Sequence, residues 1–153
     1  MKNRLTIAIQ KNGRLSEQSI DLLKKSGINF SYKGDKLLAK SNNLPIDILF
    51  VRSDDIPSLV SNGDADLAIV GENILIEKTL FKRTYIEKML NLGFSKCRLS
   101  FAVPQNSNIK SFKNKKIATS YPNTVKKYLK DNKIDASVTN IHGSVELTPY
   151  IGM

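Results

Sequence analysis

Two short, nearly unbroken apolar runs constrain this chain most: Ile46-Asp47-Ile48-Leu49-Phe50-Val51 and Ala65-Asp66-Leu67-Ala68-Ile69-Val70-Gly71. Near-continuous apolarity over such lengths suits strands of a sheet covered on both faces. Leu5 to Ile9 reads as a third buried strand. Helical stretches lie between the strands. Ser16 resembles an N-cap with Glu17 in the first turn, Ile20, Leu22, Leu23 and Ile28 lie on or near one face, and Gly27 can end the helix. Ser53-Asp54-Asp55-Ile56-Pro57 opens a second helix that Gly63 ends, and Glu72 starts a third.

The remaining segments continue the alternation. Asn29 to Lys40 is expected to form a hairpin turning at Lys33-Gly34-Asp35. Leu99 to Val103, Lys116 to Thr119 and Ala136 to Ile141 read as strands, and Asn123 to Asn132 as a lysine-rich helix with Val125, Tyr128 and Leu129 along one stripe. Repeated strand–helix alternation predicts an α/β fold with mostly parallel sheets. A lobe boundary is expected between Phe94 and Pro104, giving a first lobe over 1–98 and a second over 99–153.

Composition narrows the class. Hydrophobic residues make up 41% of the 153, enough to bury a core. No apolar run approaches the roughly 20 residues of a membrane span. The N-terminal residues carry no signal-peptide pattern, and a lone cysteine, Cys97, has no partner for an internal disulfide. A cytoplasmic, non-membrane protein is expected, with Cys97 as a small hydrophobe. The net charge of +10 fits nucleic acid, a polyanionic small molecule or solvated lysines. Only Phe112 and Tyr128 interleave with the lysine-rich stretches, and no nucleic-acid-binding signature appears, so a nucleic-acid partner is not expected.

Ligands of open parallel sheets bind beyond the carboxyl ends of the strands. Three loops of the first half stand there. In Gln10 to Arg14, Lys11 and Arg14 place two cations beside Gly13, a pattern suited to phosphate or diphosphate and equally compatible with a solvated turn. In the second, Arg52 can face a ligand or pair with Asp54 or Asp55. In the third, Gly71 and Glu72 open a helix whose N–H groups can receive an anion or be capped by ordinary polar residues. In the second half, Tyr121 can stack on a purine or pack, and Ser144 and Glu146 can serve a ligand or a helix start. His142 has no triad partner and no metal-ligand spacing of Cys or His occurs, so a metal site held by the protein is not expected.

The same loops resemble a known family. Gln10-Lys11-Asn12-Gly13-Arg14-Leu15-Ser16, Pro45 to Arg52 with Asp54-Asp55-Ile56-Pro57, Asp66 to Asn73, Cys97 to Ser100, Ile117 to Pro122 and Gly143 to Leu147 match, in order and spacing, the catalytic chain of long-form-like ATP phosphoribosyltransferases. Ala68 stands where that family usually has glycine, and Thr148 where it often has alanine. The resemblance implies a two-lobed fold like that of type II periplasmic binding proteins, with the active site between the lobes. It implies transfer of phosphoribosyl from phosphoribosyl pyrophosphate to N1 of ATP, releasing pyrophosphate, with Mg²⁺, as the first step of histidine biosynthesis. By position, Lys11 and Arg14 would serve the phosphates and leaving group as catalytic residues. Arg52, Glu72, Tyr121, Ser144 and Glu146 would line the substrate walls. A homo-oligomer is implied for the complete chain. The family continues past Gly152-Met153 with a Thr-Gly-x-Thr loop for the ribose 5-phosphate, so truncation and loss of activity in isolation are expected. A non-catalytic bilobal binding or regulatory fragment is the alternative.

Overall fold

The computed structural model describes residues 4–32, 34, 36–81, 85–105 and 107–151. They divide into two compact units, Met1–Cys97 and Arg98–Met153. The architecture is mixed α/β.

The first unit is built on a four-stranded sheet. Its elements are β1 (Leu5–Gln10), α1 (Arg14–Lys25), β2 (Leu38–Lys40), β3 (Ile46–Val51), α2 (Ile56–Ser61), β4 (Leu67–Ile69) and α3 (Glu72–Thr79). Strand order is β2-β3-β1-β4. β1 runs parallel to both β3 and β4, and β2 pairs antiparallel with β3. β1 and β3 are covered on both faces, as near-continuous apolarity predicts, whereas β4, expected to be buried, leaves Leu67 46% exposed and Ala68 and Ile69 only half-buried. Ile7 and Ile9 of β1 align with Ile48 and Phe50 of β3 and join Leu23, Ile28, Phe30 and Ala39 in one core. Ala8, between them, points to the opposite face and packs with Ile56 and Ala65, flanked by Leu59 and Val60 of α2. Ala68 belongs to that second cluster, where a small side chain fits beside Ala8.

Two polar devices secure the sheet edge opposite the strand carboxyl ends. The Arg4 guanidinium donates to Asp47 Oδ1 at 2.8 Å, to the Ile46 carbonyl at 2.8 Å and to the Ser41 carbonyl at 3.3 Å. Asp66 Oδ2 accepts from the Thr6 N–H at 2.7 Å, tying β4 to β1.

Several local expectations are corrected. Ser16 is not the N-cap of α1. The helix starts at Arg14 behind Gly13, whose φ of 88° lies in the region glycine tolerates, and Ser16 is buried inside the first turn. The segment 29–40 is not a self-paired hairpin: β2 takes β3 as its partner, and Phe30 forms only an isolated bridge with Ser41. Lys33 and Asp35 of the expected turn lie outside the described residues. The Asp55 N-cap of α2 makes no side-chain capping bond, while Pro57 sits in its first turn as expected.

The second unit pairs β5 (Lys116–Thr119) with β6 (Ser137–Asn140) in parallel, with α4 (Pro122–Asp131) between them in sequence and a 3-10 helix over Val145–Ile151. Val125 and Leu129 are the buried face of α4, whereas Tyr128 remains 45% exposed. Leu99 to Val103 forms no strand. Phe101 instead stacks its ring 4.4 Å from Phe112 and 5.4 Å from Tyr128, centroid to centroid. Cys97 is exposed rather than packed as a hydrophobe, in a stretch without regular secondary structure. Thr148 is buried with its hydroxyl donating to the Val145 carbonyl at 2.8 Å, so a polar residue is accommodated there.

Candidate functional site

The parallel ladder of the first unit delivers the first two candidate loops side by side. Gln10 and Val51 are the last partners of the β1/β3 register, and the Lys11 N–H donates to the Val51 carbonyl at 2.8 Å. Lys11 and Arg52 therefore leave adjacent strands at the same level. A depression of about 490 Å³ opens there, lined by Gln10, Lys11 and Asn12 from one loop and Val51, Arg52, Ser53 and Asp54 from the other.

Its electrostatics favour an anion. Among the described residues neither Lys11 nor Arg52 makes an ion pair. The alternative pairing of Arg52 with Asp54 does not form: Asp54 Oδ1 lies 3.6 Å from Lys78 Nζ instead. Two cations on one polar rim raise local positive potential and attract phosphate-like groups. Gln10, Asn12, Ser53 and Asp54 also line the depression but were not singled out from sequence; their signal is simply that they share the strand-end loops.

Arg14 is the first residue of α1, exposed, and directly follows Gly13, whose positive φ glycine adopts freely. The helix start thus sits at the end of the Lys11 loop, where its unpaired N–H groups add to the positive potential. Gly71 precedes α3 beyond the carboxyl end of β4, the other neighbour of β1. Gly71 has ordinary backbone angles, φ −64° and ψ 132°, and a Cβ there would meet the Asn73 side-chain oxygen at 2.6 Å, a group that can turn aside, so the position does not demand glycine. Glu72 is exposed in the first turn of α3 and pairs with Lys88 Nζ at 2.5 Å, which neutralises part of its charge.

In the second unit the candidates again occupy neighbouring strand ends. β5 and β6 are parallel partners through Thr119 and Asn140, and the Ile141 N–H extends the ladder to the Thr119 carbonyl at 3.0 Å. Tyr121 caps α4 from the β5 end, half-buried, with its N–H donated to Thr119 Oγ1 at 3.0 Å. Ser144 follows β6 with φ of 49° beside Gly143 at 98°, a turn that redirects the chain into the 3-10 helix. Glu146 is exposed in that helix's first turn. His142 is exposed, with its Nε2 3.3 Å from Asn140 Nδ2.

Cations at adjacent parallel strand ends place the chain among α/β proteins whose candidate ligand site lies beyond the carboxyl ends of the strands. The comparisons with known proteins narrow the class. The model of the HisG family, described as ATP phosphoribosyltransferase, matches residues 52–153. An ATP phosphoribosyltransferase of Cytophaga hutchinsonii is 47% identical over an alignment of 156 residues, covering 100% of this chain and 53% of that protein. Among solved structures, the ATP phosphoribosyl transferase (HisG:HisZ) complex from Thermotoga maritima matches with a TM-score of 0.67 at 26% identity, over 97% of this chain and 69% of that one. The chain belongs to the ATP phosphoribosyltransferase family. It spans about half the length of the curated relative it matches.

Proposed function

We propose that this chain carries substrate-binding and catalytic residues for transfer of a phosphoribosyl group from phosphoribosyl pyrophosphate to N1 of ATP, with release of pyrophosphate. This is the first step of histidine biosynthesis. The observation that carries the reading is the emergence of Lys11 and Arg52 together at one depression, without ion-pair partners among the described residues, in a member of this family.

The chemistry asks little of covalent catalysis. The adenine nitrogen is already a nucleophile, and the barrier falls through orientation and through neutralising charge on the departing pyrophosphate. In this reading Lys11 and Arg14 hold the pyrophosphate and its growing charge. Arg52 and Glu72 flank it on the first unit. Tyr121 provides an aromatic face for the purine, and Ser144 and Glu146 line the substrate wall of the second unit, where a carboxylate can accept from hydroxyl groups but not hold phosphate. A two-lobed fold of the type II periplasmic-binding-protein kind is part of the proposal, as are a cytoplasmic location and a homo-oligomer.

Mg²⁺ is proposed to accompany the pyrophosphate. It commonly binds through one or two carboxylates plus substrate phosphates. Asp54 on the rim of the depression supplies one such oxygen donor. When bound, the ion would neutralise charge on the leaving group.

The test uses the full-length enzyme with ATP, phosphoribosyl pyrophosphate and Mg²⁺, following product absorbance. Turnover that requires both substrates is expected. Ligand binding with no product would point to a non-catalytic binding protein and overturn the proposal.

A further inference from the structure

We infer that Ser16 is a positioning residue that sets the Lys11 loop for the pyrophosphate group; the inference rests on the function proposed above. Ser16 lies in the first turn of α1 and is only 3% exposed. Its hydroxyl donates to the Lys11 carbonyl at 3.0 Å. That acceptor is five residues back, outside the helix.

The choice of acceptor separates Ser16 from other hydroxyls in the helices. Ser19 donates to the Leu15 carbonyl at 2.6 Å, and Thr79 to the Leu75 carbonyl at 2.7 Å, each one turn back within its own helix. Such bonds satisfy a buried hydroxyl and nothing more. Ser16 instead bonds the loop that presents Lys11.

The Lys11 backbone is thereby held from two directions. Its N–H is committed to Val51 on β3, at 2.8 Å, and its carbonyl to Ser16 on α1. Tyr32 Oη is a second, weaker donor, 3.4 Å from the Lys11 carbonyl and 3.3 Å from that of Gly34. One phenolic proton serves one of these at a time, so Ser16 is the dedicated donor. With both peptide groups fixed, the Lys11 side chain departs from the rim of the depression in a set direction. Preorganisation of this kind raises affinity by removing the cost of ordering the loop on binding.

Burial at this position alone calls for alanine, which is small and the best helix former. A buried serine hydroxyl, by contrast, costs free energy unless it is hydrogen-bonded. Its partner here is the Lys11 carbonyl.

The test compares Ser16→Ala, Tyr32→Phe and Lys11→Ala in the full-length enzyme. Inorganic pyrophosphate binding is measured by calorimetry, alongside the thermal midpoint and the KM and kcat of the reaction. Ser16→Ala is expected to weaken pyrophosphate binding on the order of threefold to tenfold, the loss of one neutral hydrogen bond, while the thermal midpoint stays near wild type. Tyr32→Phe keeps the ring on Phe50 and is expected to give a smaller loss. Because both donors meet at one oxygen, the double variant should depart from the product of the single effects.

Two failures are distinguishable. If Lys11→Ala leaves pyrophosphate binding unchanged, the assignment of the depression itself fails. If Lys11→Ala weakens binding but Ser16→Ala only lowers the thermal midpoint, or changes nothing, Ser16 is structural and the positioning inference is overturned.

Discussion

Gln10 and Val51 close the parallel ladder between β1 and β3, and the next residue on each strand is a cation, Lys11 on one and Arg52 on the other. Ladder register, not local sequence, makes these two residues neighbours, since 41 positions separate them in the chain. Asp54 lines the same depression but has its Oδ1 3.6 Å from Lys78 Nζ, and neither cation makes an ion pair among the described residues. An anion held there would gain attraction from both cations.

Removal of either cation should therefore weaken anion binding. For Lys11→Ala and Arg52→Ala we expect losses of roughly 1.5–3 kcal/mol in pyrophosphate affinity, about tenfold to a hundredfold, typical of hydrogen bonds to charged groups. The wild-type affinity should fall as salt rises, and the variants should show a shallower dependence. Titration calorimetry at two salt concentrations checks both. Affinity indifferent to salt and to both substitutions would assign the depression to something other than an anion.

Arg14 is expected to act later in the reaction. Charge on pyrophosphate grows as its bond to the ribose breaks, so Arg14→Ala should reduce kcat more than it raises KM. The loss of one such electrostatic contact is typically roughly 2.7–4 kcal/mol, about 10²–10³ in turnover. Steady-state kinetics of the full-length variant measure the split. Wild-type turnover would remove Arg14 from the mechanism.

Much of the first unit was legible because β1 and β3 at the centre of its sheet are covered on both faces. Ile7, Ile9, Ile48 and Phe50 alternate with Ala8 and Leu49, and no polar face blurs the pattern. The site loops followed from the same reading, since strand ends fix where loops emerge. What sequence misassigned depends on tertiary choices. Ser16 looked like a cap because serine favours caps, but the left-handed Gly13 starts the helix earlier and the hydroxyl turns to Lys11. Leu99, Phe101 and Val103 alternate like a strand, yet no pairing forms there among the described residues, and Phe101 gains ring contacts with Phe112 and Tyr128 instead. Phe112 and Tyr128 are thereby engaged in packing rather than arrayed among the lysines. The partner of Leu38 to Lys40 was also missed: it pairs antiparallel with the next strand, β3, through the short connection Ser41 to Pro45, rather than with residues near Phe30.

The core should be most sensitive at Phe50. It is fully buried and stacks on Tyr32 with ring centroids 3.8 Å apart and planes inclined by 16°. Phe50→Ala should cost about 3–5 kcal/mol through lost burial and the cavity left behind. Denaturant unfolding of the purified protein reports it. A cost below about 1 kcal/mol would mean that Tyr32 and its neighbours collapse into the space.

The Arg4 clamp gives a separate stability test. Arg4→Ala removes one charge-assisted contact and two carbonyl contacts that tie the start of β1 to β3 and to the turn before it. A loss of roughly 1.5–3 kcal/mol is expected. Asp47→Asn keeps an acceptor for Arg4 but not its charge, so it should lose less. The ranking of the two variants in thermal unfolding decides whether the guanidinium acts mainly through its carbonyl contacts.

Tyr121 carries the prediction about the acceptor substrate. It lies at the carboxyl end of β5, half-buried, with its N–H fixed by Thr119 Oγ1 at 3.0 Å, so its backbone position is set before any ligand arrives. If its ring stacks on the adenine, Tyr121→Ala should weaken ATP binding by roughly 1–3 kcal/mol, about fivefold to a hundredfold. Tyr121→Phe preserves the aromatic face and should stay near wild type. The donor substrate gives the internal control: KM for phosphoribosyl pyrophosphate should change little in either variant, because the proposed cations for its diphosphate are Lys11 and Arg14. Kinetics with each substrate varied in turn separates the two effects. Equal losses for both substrates in Tyr121→Ala, together with a lowered thermal midpoint, would make Tyr121 a packing residue of the second unit and leave purine recognition to other groups.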